Sequence, residues 1–481
     1  MAPLRPVIRW AMTAAYDGMS STRRGRGWTP DNSAINALII GAGDELRSKA
    51  RDSVRRNAWA RNASDALVAN VIGTGIIPQS KHPDPKIREN LHALWLRWTD
   101  ESDSTETTDF YGQQSMVCRE VVEAGEIFAR LRPRRESDGL SVPLQIQLLE
   151  GEHVPLWKNE MLPGGFSVRG GIEFNAIGRR VAYHMYPEHP SELLNVRGLE
   201  TKRIDAAGVM HVFKPLRAGQ HRGEPWLATT LALLNDLEKY ESAELMRKQM
   251  AAMMAFFITK LDPAGAGLFG DEEDVDGTPM QGIEPGSVIT LDPNEDVKIS
   301  EPADLGGQYE AFWKNTIRKF AAGMGLTYEQ VSGDYAGVTY SSCRSAILEF
   351  RRRIEPFQHQ VLVYKFCRPT WKAFIDAAAL AGKVSALDYA RRPQAYLDVE
   401  WSPQAWPWVD PLKDVEAEVL AIDNLLKSRT ASIKSGGRDA EDVDAEIAAD
   451  QAREEKAGLK RGKQGQAPPD PGARRRQIDA A

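Results

Sequence analysis

The side chains best suited to chemistry are scattered along the chain, and few occur at the spacing that a reactive site needs. The run Ser341–Arg344 groups hydroxyl and thiol side chains, but no Gly-x-Ser-x-Gly turn surrounds it and no partner base is obvious. Helix N-capping by Ser341 or Ser342 is therefore the favoured role. His184 lies in a predicted strand and His189 precedes a proline, which favours two surface histidines over a metal site.

Phosphate loops and metal clusters are also missing from the sequence pattern. A Walker loop needs a glycine followed by Lys and Ser or Thr, but the Gly-Lys pairs at Gly382 and Gly462 are followed by Val and Gln. The acidic run Asp271–Asp274 is interpreted as a solvated loop, because four adjacent carboxylates do not converge on one ion without a tight turn. We therefore expect a protein that is not an enzyme and has no cofactor and no metal ion.

Composition narrows the class of protein further. The 481 residues include 61 Lys+Arg and 67 Asp+Glu, a net charge of −6, which excludes a strongly basic nucleic-acid coat. Three widely spaced cysteines exclude a disulfide framework and a Cys-based zinc site. The longest apolar run, residues 250–258, is far shorter than the ~20 residues of a membrane span. No signal peptide is indicated, so the default location is the cytoplasm or an assembly built there.

Periodicity predicts helices first and then a mainly antiparallel sheet. After a loosely structured, locally basic arm over 1–43, a helical pattern covers Leu46–Val71 and stops at Gly73-Thr74-Gly75. A second helix follows around 87–98, and a third begins at Asp109. Alternating segments then predict five strands, which are 127–131, 144–148, 166–174, 181–186 and 209–213. This region is one mixed unit of helices and strands.

A long rod helix is predicted next, over residues 225–259, which at 1.5 Å per residue is about 50 Å long. Residues 260–305 break the helical pattern and suggest two short strands, around 287–291 and 297–299. A helix is predicted from Gln308, and a polar loop follows over 327–340. The next helix runs from Ser341 towards Leu380 and should be kinked at Pro356 and Pro369. The last predicted parts are an aromatic link over 401–408, helices after Asp410, and a disordered basic tail from 458.

Four stretches, in this order along roughly residues 10–430, together resemble a known family. They are Arg51–Gly75 with its Arg-Asn-x-Trp run, 211–225 with RAGQHRGEP, 325–349 with GLTYEQVSGDYAGVTYSSCRSAILE, and 407–417 with PWVDPLKDVEA. The family is the portal protein of tailed bacteriophages, in its lambda-like branch. The resemblance implies an α+β, portal-type fold with an α/β wing, a long helical stem, a small clip and a helical crown.

The resemblance also implies how these parts divide the chain. The parts are a flexible arm 1–43, wing 44–224, stem helix 225–259, clip 260–305, second stem helix 306–326, tunnel loop 327–340, tunnel helix and return to the wing 341–409, crown 410–457, and disordered basic tail 458–481.

The function that the resemblance implies is structural. Portal subunits form a homo-oligomeric ring, usually a dodecamer, at one vertex of the viral capsid in the virion, after assembly in the bacterial host cytoplasm. Double-stranded DNA is packaged through the channel by the terminase large subunit, without sequence specificity, and is later ejected. Further expected partners are the major capsid or scaffold protein and a head-completion or tail connector protein. No membrane partner is expected.

Three groups of site residues follow from this mapping. The expected channel constriction comprises Gly333, Asp334, Tyr335, Gly337, Val338, Thr339 and Tyr340. Arg344 is expected either to touch DNA phosphates or to pair with a carboxylate of a neighbouring subunit, and the pairing is slightly favoured. Because a channel must not hold its cargo, its wall should be acidic or neutral. The candidate wall carboxylates are Asp236, Glu238, Glu241 and Glu244.

Two other classes of function remain as alternatives. A phage DNA-processing enzyme, either a nuclease or a terminase-like ATPase, needs clustered carboxylates or a phosphate loop, which the sequence lacks. A head-tail adaptor without a channel is usually smaller and has no rod helix of this length. An image of the purified oligomer distinguishes the three, since only a portal gives rings with a central hole and a stem.

Overall fold

The computed structural model describes residues 32–192, 200–252, 256–260, 295–299, 308–406 and 411–458. The chain divides into two compact units. The smaller unit is Thr229–Tyr335, and the larger unit comprises the residues before and after it. Within the part of the chain that the structure describes, no helix has both the length and the apolar character needed to cross a membrane.

Four helices open the larger unit, and they are α1 Ile35–Arg56, α2 Ala58–Val71, α3 Pro85–Glu101 and α4 Phe110–Glu123. The predicted start of α4 is confirmed, because the Asp109 side chain accepts a hydrogen bond from the backbone N–H of Gly112. The single helix predicted over 46–71 is wrong. Asn57 has an extended backbone and caps α2, which separates it from α1. Helix α1 also begins inside the predicted arm.

The strands of the larger unit are β1 Ile77–Ser80, β2 Glu126–Pro133, β3 Leu144–Glu150, β4 Glu160–Met161, β5 Ser167–Arg169, β6 Ile172–Phe174, β7 Arg180–Met185, β8 Lys202–Asp205 and β9 Val209–Phe213. Strands β2 to β9 form two antiparallel sheets with strand orders β3-β2-β9 and β4-β5-β6-β7-β8, and β1 pairs with a strand later in the chain. The five predicted strands are present. The one predicted over 166–174 is a hairpin that turns at Gly170 and Gly171, both of which have positive φ.

Two apolar clusters hold the larger unit together. One lies between the sheets and contains Phe128, Ile172 and Tyr183. The other is aromatic, with Trp95 at its centre and ring centroids 5.1 Å from Phe110 and 5.0 Å from Phe374. Buried aromatic side chains remove large apolar areas from water, and tilted or edge-on pairs add about 0.5–1.5 kcal/mol each.

The smaller unit contains α5 Leu231–Ala252, β10 Phe256–Lys260, β11 Glu295–Ile299, α6 Gln308–Met324 and α7 Tyr328–Ser332. Strands β10 and β11 are antiparallel, with Phe256 opposite Ile299. The predicted rod over 225–259 is too long, since α5 has 22 residues, about 33 Å. Residues 226–229 are a short 3₁₀ helix. The aromatic and β-branched run from Phe256 pairs as a strand.

The chain re-enters the larger unit through α8 Tyr340–Phe357, a ten-residue π-helix Gln358–Cys367, and α9 Arg368–Leu380. The predicted helical extent is confirmed, but the two prolines flank a π-helical segment. Shorter elements follow, which are α10 Ala386–Arg391, α11 Pro393–Leu397 and β12 Val399–Ser402. Strand β12 pairs with β1, so Trp401 lies in a strand rather than in the predicted link.

Three helices complete the described chain, and they are α12 Pro411–Asp423, α13 Arg429–Ser435 and α14 Ala440–Ala457. Much of the apolar surface of the α12 segment is exposed, including Leu412, Val419 and Leu420. Most of the predicted arm, the basic tail after Gly458, the acidic run 271–274, the strand 287–291 and the Asp410 cap lie outside the described residues.

Candidate functional site

The predicted stem consists of α5 and α6, which contact each other within the smaller unit. The ring of Tyr240 lies 5.8 Å from that of Tyr309 and 4.6 Å from that of Phe312, measured between centroids. A Cβ on Gly323 would stand 2.4 Å from Cγ2 of Thr230, so the start of α5 and the end of α6 approach as closely as a glycine allows. The two helices therefore form a tightly fitted pair.

The four candidate wall carboxylates fall into two classes. Glu241 accepts a hydrogen bond of 2.9 Å from the indole N–H of Trp313, and Glu244 bonds Arg247 at 2.7 Å. The bond from Arg247 lowers the pKa of Glu244 despite partial desolvation. Asp236 and Glu238 are exposed. Of the four candidates, Asp236 and Glu238 present their negative charge to solvent. Glu241 joins α5 to α6, and Glu244 is paired with an arginine on α5 itself.

The first half of the predicted tunnel loop is anchored within the smaller unit. Residues 328–332, predicted as loop, form α7, which ends at Gly333 in the left-handed conformation with φ 68°. The Tyr328 hydroxyl donates to a carboxylate oxygen of Asp334 at 3.2 Å, and the Arg318 guanidinium lies 5.3 Å from the Tyr328 ring centroid. Tyr335 is 62% exposed. The loop residues up to Asp334 are thus tied to α6.

The second half of the predicted loop leads into α8. Gly337 has φ 77°, and Val338 is half-buried. The Thr339 side chain accepts a hydrogen bond from the backbone N–H of Ser342, so the N-cap is Thr339 and not Ser341 or Ser342 as predicted. The Ser342 side chain completes a capping box with Thr339, because Ser342 is the third residue of the helix. Tyr340 is 54% exposed.

Arg344 has a carboxylate partner within its own chain. Its guanidinium lies 3.3 Å from Asp414 in α12. The pair lines a cavity of about 280 Å³ between α8 and α12, together with Leu348 and Ala417. The structure therefore places Arg344 where it joins the helix after the loop to the first helix of the predicted crown.

The two histidines close in sequence lie beside acidic residues. His184 is 3.3 Å from Glu173, and His189 is 3.5 Å from Glu150. Glu152 completes a compact group with Glu150 and His189. The Arg51 guanidinium already bonds both carboxylates, at 2.9 Å and 2.6 Å, which neutralises much of the charge that would attract a cation.

A buried charge centre in the larger unit is not predicted from the sequence. The Glu126 side chain, with no exposed surface, accepts hydrogen bonds from Arg47 at 2.8 Å, from Arg222 at 2.8 and 2.9 Å, and from His211 at 2.9 Å. The backbone N–H of Gly223 adds another at 2.8 Å. Arg222 also donates to carbonyl oxygens at residues 151, 154 and 170. This centre joins α1, both sheets and the chain that leads to the smaller unit.

The pKa values in this centre follow from burial and from the charged and hydrogen-bonding neighbours of each group. Burial opposes ionisation of Glu126, but Arg222 and His211 outweigh it and hold the pKa of Glu126 well below its ordinary value. Burial lowers the pKa of His211 to about 3, against the opposing effect of Glu126. Neutral His211 therefore donates from Nε2, and its buried Nδ1 has no hydrogen-bond partner within the described residues.

The sequence signal for this centre is weak and consists of charged or polar residues within apolar strand segments. Glu126 begins a run of apolar strand residues, and His211 interrupts the apolar strand β9. His211 and Arg222 both belong to one of the four stretches that carry the family resemblance. A charged or polar residue in a buried strand needs a buried partner, although the sequence does not say which one.

Together, the described parts have the portal-type fold that the sequence resemblance implies. They are an α+β unit fixed by a buried charge centre, a fitted helix pair with exposed carboxylates, a two-stranded extension after α5, and a short capped loop with exposed tyrosines. Comparison with known proteins gives the particular family.

The chain belongs to the lambda family of phage portal proteins, whose sequence model matches residues 21–358. The probable portal protein of Halomonas phage phiHAP-1 is 26% identical over 471 residues, covering 93% of this chain and 88% of that protein. Portal protein B of Escherichia phage lambda is 21% identical to this chain, and the match covers 93% of this chain and 91% of the lambda protein. Among solved structures, the chain is similar to one in the neck of a native gene transfer agent particle, computed with C12 symmetry. The two chains are 13% identical, the match covers 82% of this chain and 96% of that chain, and the TM-score is 0.49.

Proposed function

We propose that copies of this chain, twelve in the complete assembly, close into a ring at one vertex of the phage capsid. Double-stranded DNA passes through the axial channel, inward during packaging and outward during ejection. The observation that carries this proposal is the family match over residues 21–358, which includes the described wing, helix pair, loop and α8. In this role the chain is a structural part of the virion, without catalytic chemistry of its own.

The partners that we propose follow from the family and from the division of the chain. The terminase large subunit meets the clip, of which β10 and β11 are the described part. The major capsid or scaffold protein holds the ring at its vertex, and a head-completion or tail connector protein attaches after packaging. Assembly takes place in the bacterial host cytoplasm.

The channel function requires a wall that does not retain DNA. Each phosphate that a Lys or Arg neutralises releases counterions and increases affinity, so an acidic wall lets DNA slide. Asp236 and Glu238 are the exposed carboxylates of α5. The two side chains are two positions apart on a helix and therefore point about 200° apart around its axis. Only one of them can face the lumen.

The pair Asp236→Lys and Glu238→Lys tests this wall, with each variant serving as the control for the other. The lysine on the lumen side adds one phosphate contact per subunit, so we expect slower packaging at low salt and recovery at high salt. The other lysine should leave packaging unchanged. If neither variant changes packaging at low salt, α5 does not line the channel.

The proposed constriction is the tunnel loop around Gly333–Tyr340, in which Gly333 ends one helix and Thr339 caps the next. Each end of this loop is set by its own helix cap, and the loop presents the exposed side chain of Tyr335. We expect Ala336→Trp to shorten the packaged DNA, since it adds bulk to the narrowest part. The matched control is Trp157→Ala, a change at an exposed aromatic residue of the larger unit. Full-length packaged DNA in the Ala336→Trp variant would rule out the constriction.

The whole proposal is tested by imaging the purified chain down its symmetry axis by electron microscopy. Rings with a central hole support it, and subunits that stay solitary at high concentration contradict it. A nuclease assay with Mg²⁺ and Mn²⁺ tests the enzyme alternative in the same preparation. DNA cleavage that copurifies with the rings and disappears in a carboxylate variant would contradict a purely structural role.

A further inference from the structure

Four exposed, charged side chains of the helix pair form no ion pair within the described part of the chain. Asp236 and Glu238 belong to α5, and Arg318 and Lys319 belong to α6. The Arg318 guanidinium lies over the Tyr328 ring, a contact that leaves its charge without a countercharge. The helix pair thus offers two acids on one helix and two bases on the other to a partner.

The acids and the bases lie at the same level along the helix pair. Helices α5 and α6 are antiparallel, because Thr230 at the start of α5 approaches Gly323 near the end of α6, and Glu241 further along α5 bonds Trp313 earlier in α6. The four charges lie midway between these two contacts. In a ring whose helix pairs run along its axis, the acids of one copy therefore meet the bases of the next copy at one height.

The two acids project from opposite flanks of α5. Leu234 and Leu237 are buried and mark the inner side of this helix. At about 100° per residue, Asp236 and Glu238 are about 200° apart, one on each flank. Exposed Lys239 lies between them on the outermost line of the helix.

The two bases project from opposite flanks of α6 in the same way. Ile317 and Phe320 are buried and mark the inner side of this helix. Arg318 and Lys319 each point about 130° away from the centre of that side, one on each flank. Asn315, which carries no charge, lies between them on the outermost line.

Antiparallel packing decides which charges share a side. Asp236 and Lys319 lie on one side of the plane through the two helix axes, and Glu238 and Arg318 lie on the other side. When α6 of one copy and α5 of the next copy lie side by side, an acid therefore comes next to a base on both sides of that plane. Lys239 then faces the uncharged outermost line of α6.

A second copy of the chain fits these charges better than DNA does. Both flanks of α6 carry a base, and a channel wall that exposed a base to the lumen would retain DNA, since each phosphate neutralised by Lys or Arg increases affinity. A carboxylate of the neighbouring copy beside each base removes this attraction and keeps the wall neutral.

We propose that α5 of one copy lies against α6 of the next copy in the ring, with Asp236 paired to Lys319 and Glu238 paired to Arg318 across each boundary. The two surfaces differ from each other, as a head-to-tail interface in a closed ring requires. This contact rests on the proposed ring and specifies which surfaces close it.

Two variants test this contact, and they are Asp236→Lys with Glu238→Lys, and Arg318→Glu with Lys319→Glu. Either variant alone places like charges at every boundary between copies. The subunit concentration at half-assembly should therefore rise about tenfold at low salt and return towards the wild-type value at high salt, as measured by mass photometry. A single reversal leaves one pair at every boundary, so the single-lysine variants of the packaging test still assemble.

Mixing the two variants in equal amounts should restore assembly at low salt. The lysines on α5 of the first variant then meet the glutamates on α6 of the second, and the native acids of the second meet the native bases of the first. Native mass spectrometry should show rings that contain the two variants in equal numbers. Such recovery also shows that both variants are folded.

The control is Arg55→Glu with Arg56→Glu, which makes the same charge change at two adjacent, exposed arginines at the end of α1. This variant should assemble like the wild type and should not rescue the lysine variant on mixing. Wild-type assembly of both helix-pair variants at low salt, or no recovery when the two are mixed, overturns the contact while the ring stands. Solitary wild-type subunits contradict the ring itself, and this contact with it.

Discussion

Carboxylates have opposite roles in the two units of this portal protein. In the larger unit, Glu126 is fully buried and surrounded by two arginines and a histidine. In the smaller unit, Asp236 and Glu238 lie exposed on α5. A buried charge is tolerated only with all its partners in place, whereas an exposed charge is screened by water and salt.

This difference separates the residues that fix the larger unit from those that we propose face the DNA. Arg47, Glu126 and Arg222 are coupled, because the two buried guanidinium groups share the one buried carboxylate of Glu126. The exposed carboxylates of α5 can be exchanged singly with little effect on folding. The charge of the helix pair can therefore be altered without unfolding the larger unit.

The largest expected effect is that of Glu126→Gln. Glutamine keeps the shape of the side chain but removes the one described carboxylate that pairs with Arg222 and the carboxylate nearest to Arg47, so we expect a loss of about 3–5 kcal/mol in the free energy of unfolding. Urea unfolding followed by near-ultraviolet circular dichroism measures this loss. The matched control is Glu238→Gln, expected within about 0.5 kcal/mol of the wild type. Equal effects of the two variants would remove the distinction between the units.

The pH dependence of stability gives the second prediction. Folded His211 stays neutral down to about pH 3, while the unfolded chain takes up a proton at this side chain below about pH 6.5. The unfolded state thus binds more protons between these values, and stability falls as the pH falls through this window. Glu126, whose folded pKa is depressed, adds a loss in the same direction below about pH 4.5.

The variant His211→Gln keeps an N–H donor for Glu126 but removes the titrating group. We expect the decline of stability between pH 6.5 and 4.5 to become shallower, by up to about 1.4 kcal/mol per pH unit, and the decline below pH 4.5 to remain. Urea unfolding midpoints at several pH values measure both the decline between pH 6.5 and 4.5 and the decline below pH 4.5. His359→Gln, at an exposed position, should leave the curve unchanged. An unchanged slope in His211→Gln would show that this histidine is already protonated in the folded state.

Local sequence signals account for much of the fold. The alternation around 127–131 and 209–213 predicts β2 and β9, because side chains in strands point alternately to the two faces of a sheet. Asp109 is predicted as an N-cap and is one. The cap at Asn57 also has a local signal, but apolar periodicity continues across it and hides the break between α1 and α2.

The elements that sequence reading misplaces depend on distant partners. Residues 256–260 become a strand by pairing with 295–299, so the end of α5 is set by residues about 40 positions later. The buried charge centre requires residues 47, 126, 211 and 222 to meet, and no spacing rule joins them. The tunnel loop and the wall carboxylates rest on the family resemblance, and their roles stay predictions.

A smaller effect is expected from Gly323→Ala in the helix pair. The added Cβ would overlap Cγ2 of Thr230, and relieving this overlap costs about 1–3 kcal/mol, partly offset by the better helix propensity of alanine. Thr230→Ser removes that methyl group and keeps the hydroxyl. In the Thr230→Ser background, Gly323→Ala should therefore be neutral or stabilising. Hydrogen exchange of α6 in all four proteins measures the coupling, and strict additivity would contradict the close approach.

The smallest expected effect is that of Thr339→Ala at the start of α8. The change removes an N-cap and should destabilise the first turn by about 1 kcal/mol, which increases hydrogen exchange at 340–343 while the larger unit keeps its unfolding midpoint. Ser341→Ala is the control, because the Ser341 hydroxyl lies 3.3 Å from that of Thr339 but is not the acceptor that caps the helix. Faster exchange in Ser341→Ala alone would show that Ser341 is the N-cap, as predicted from the sequence. Faster exchange in Thr339→Ala alone would show that the Thr339 side chain sets the start of α8.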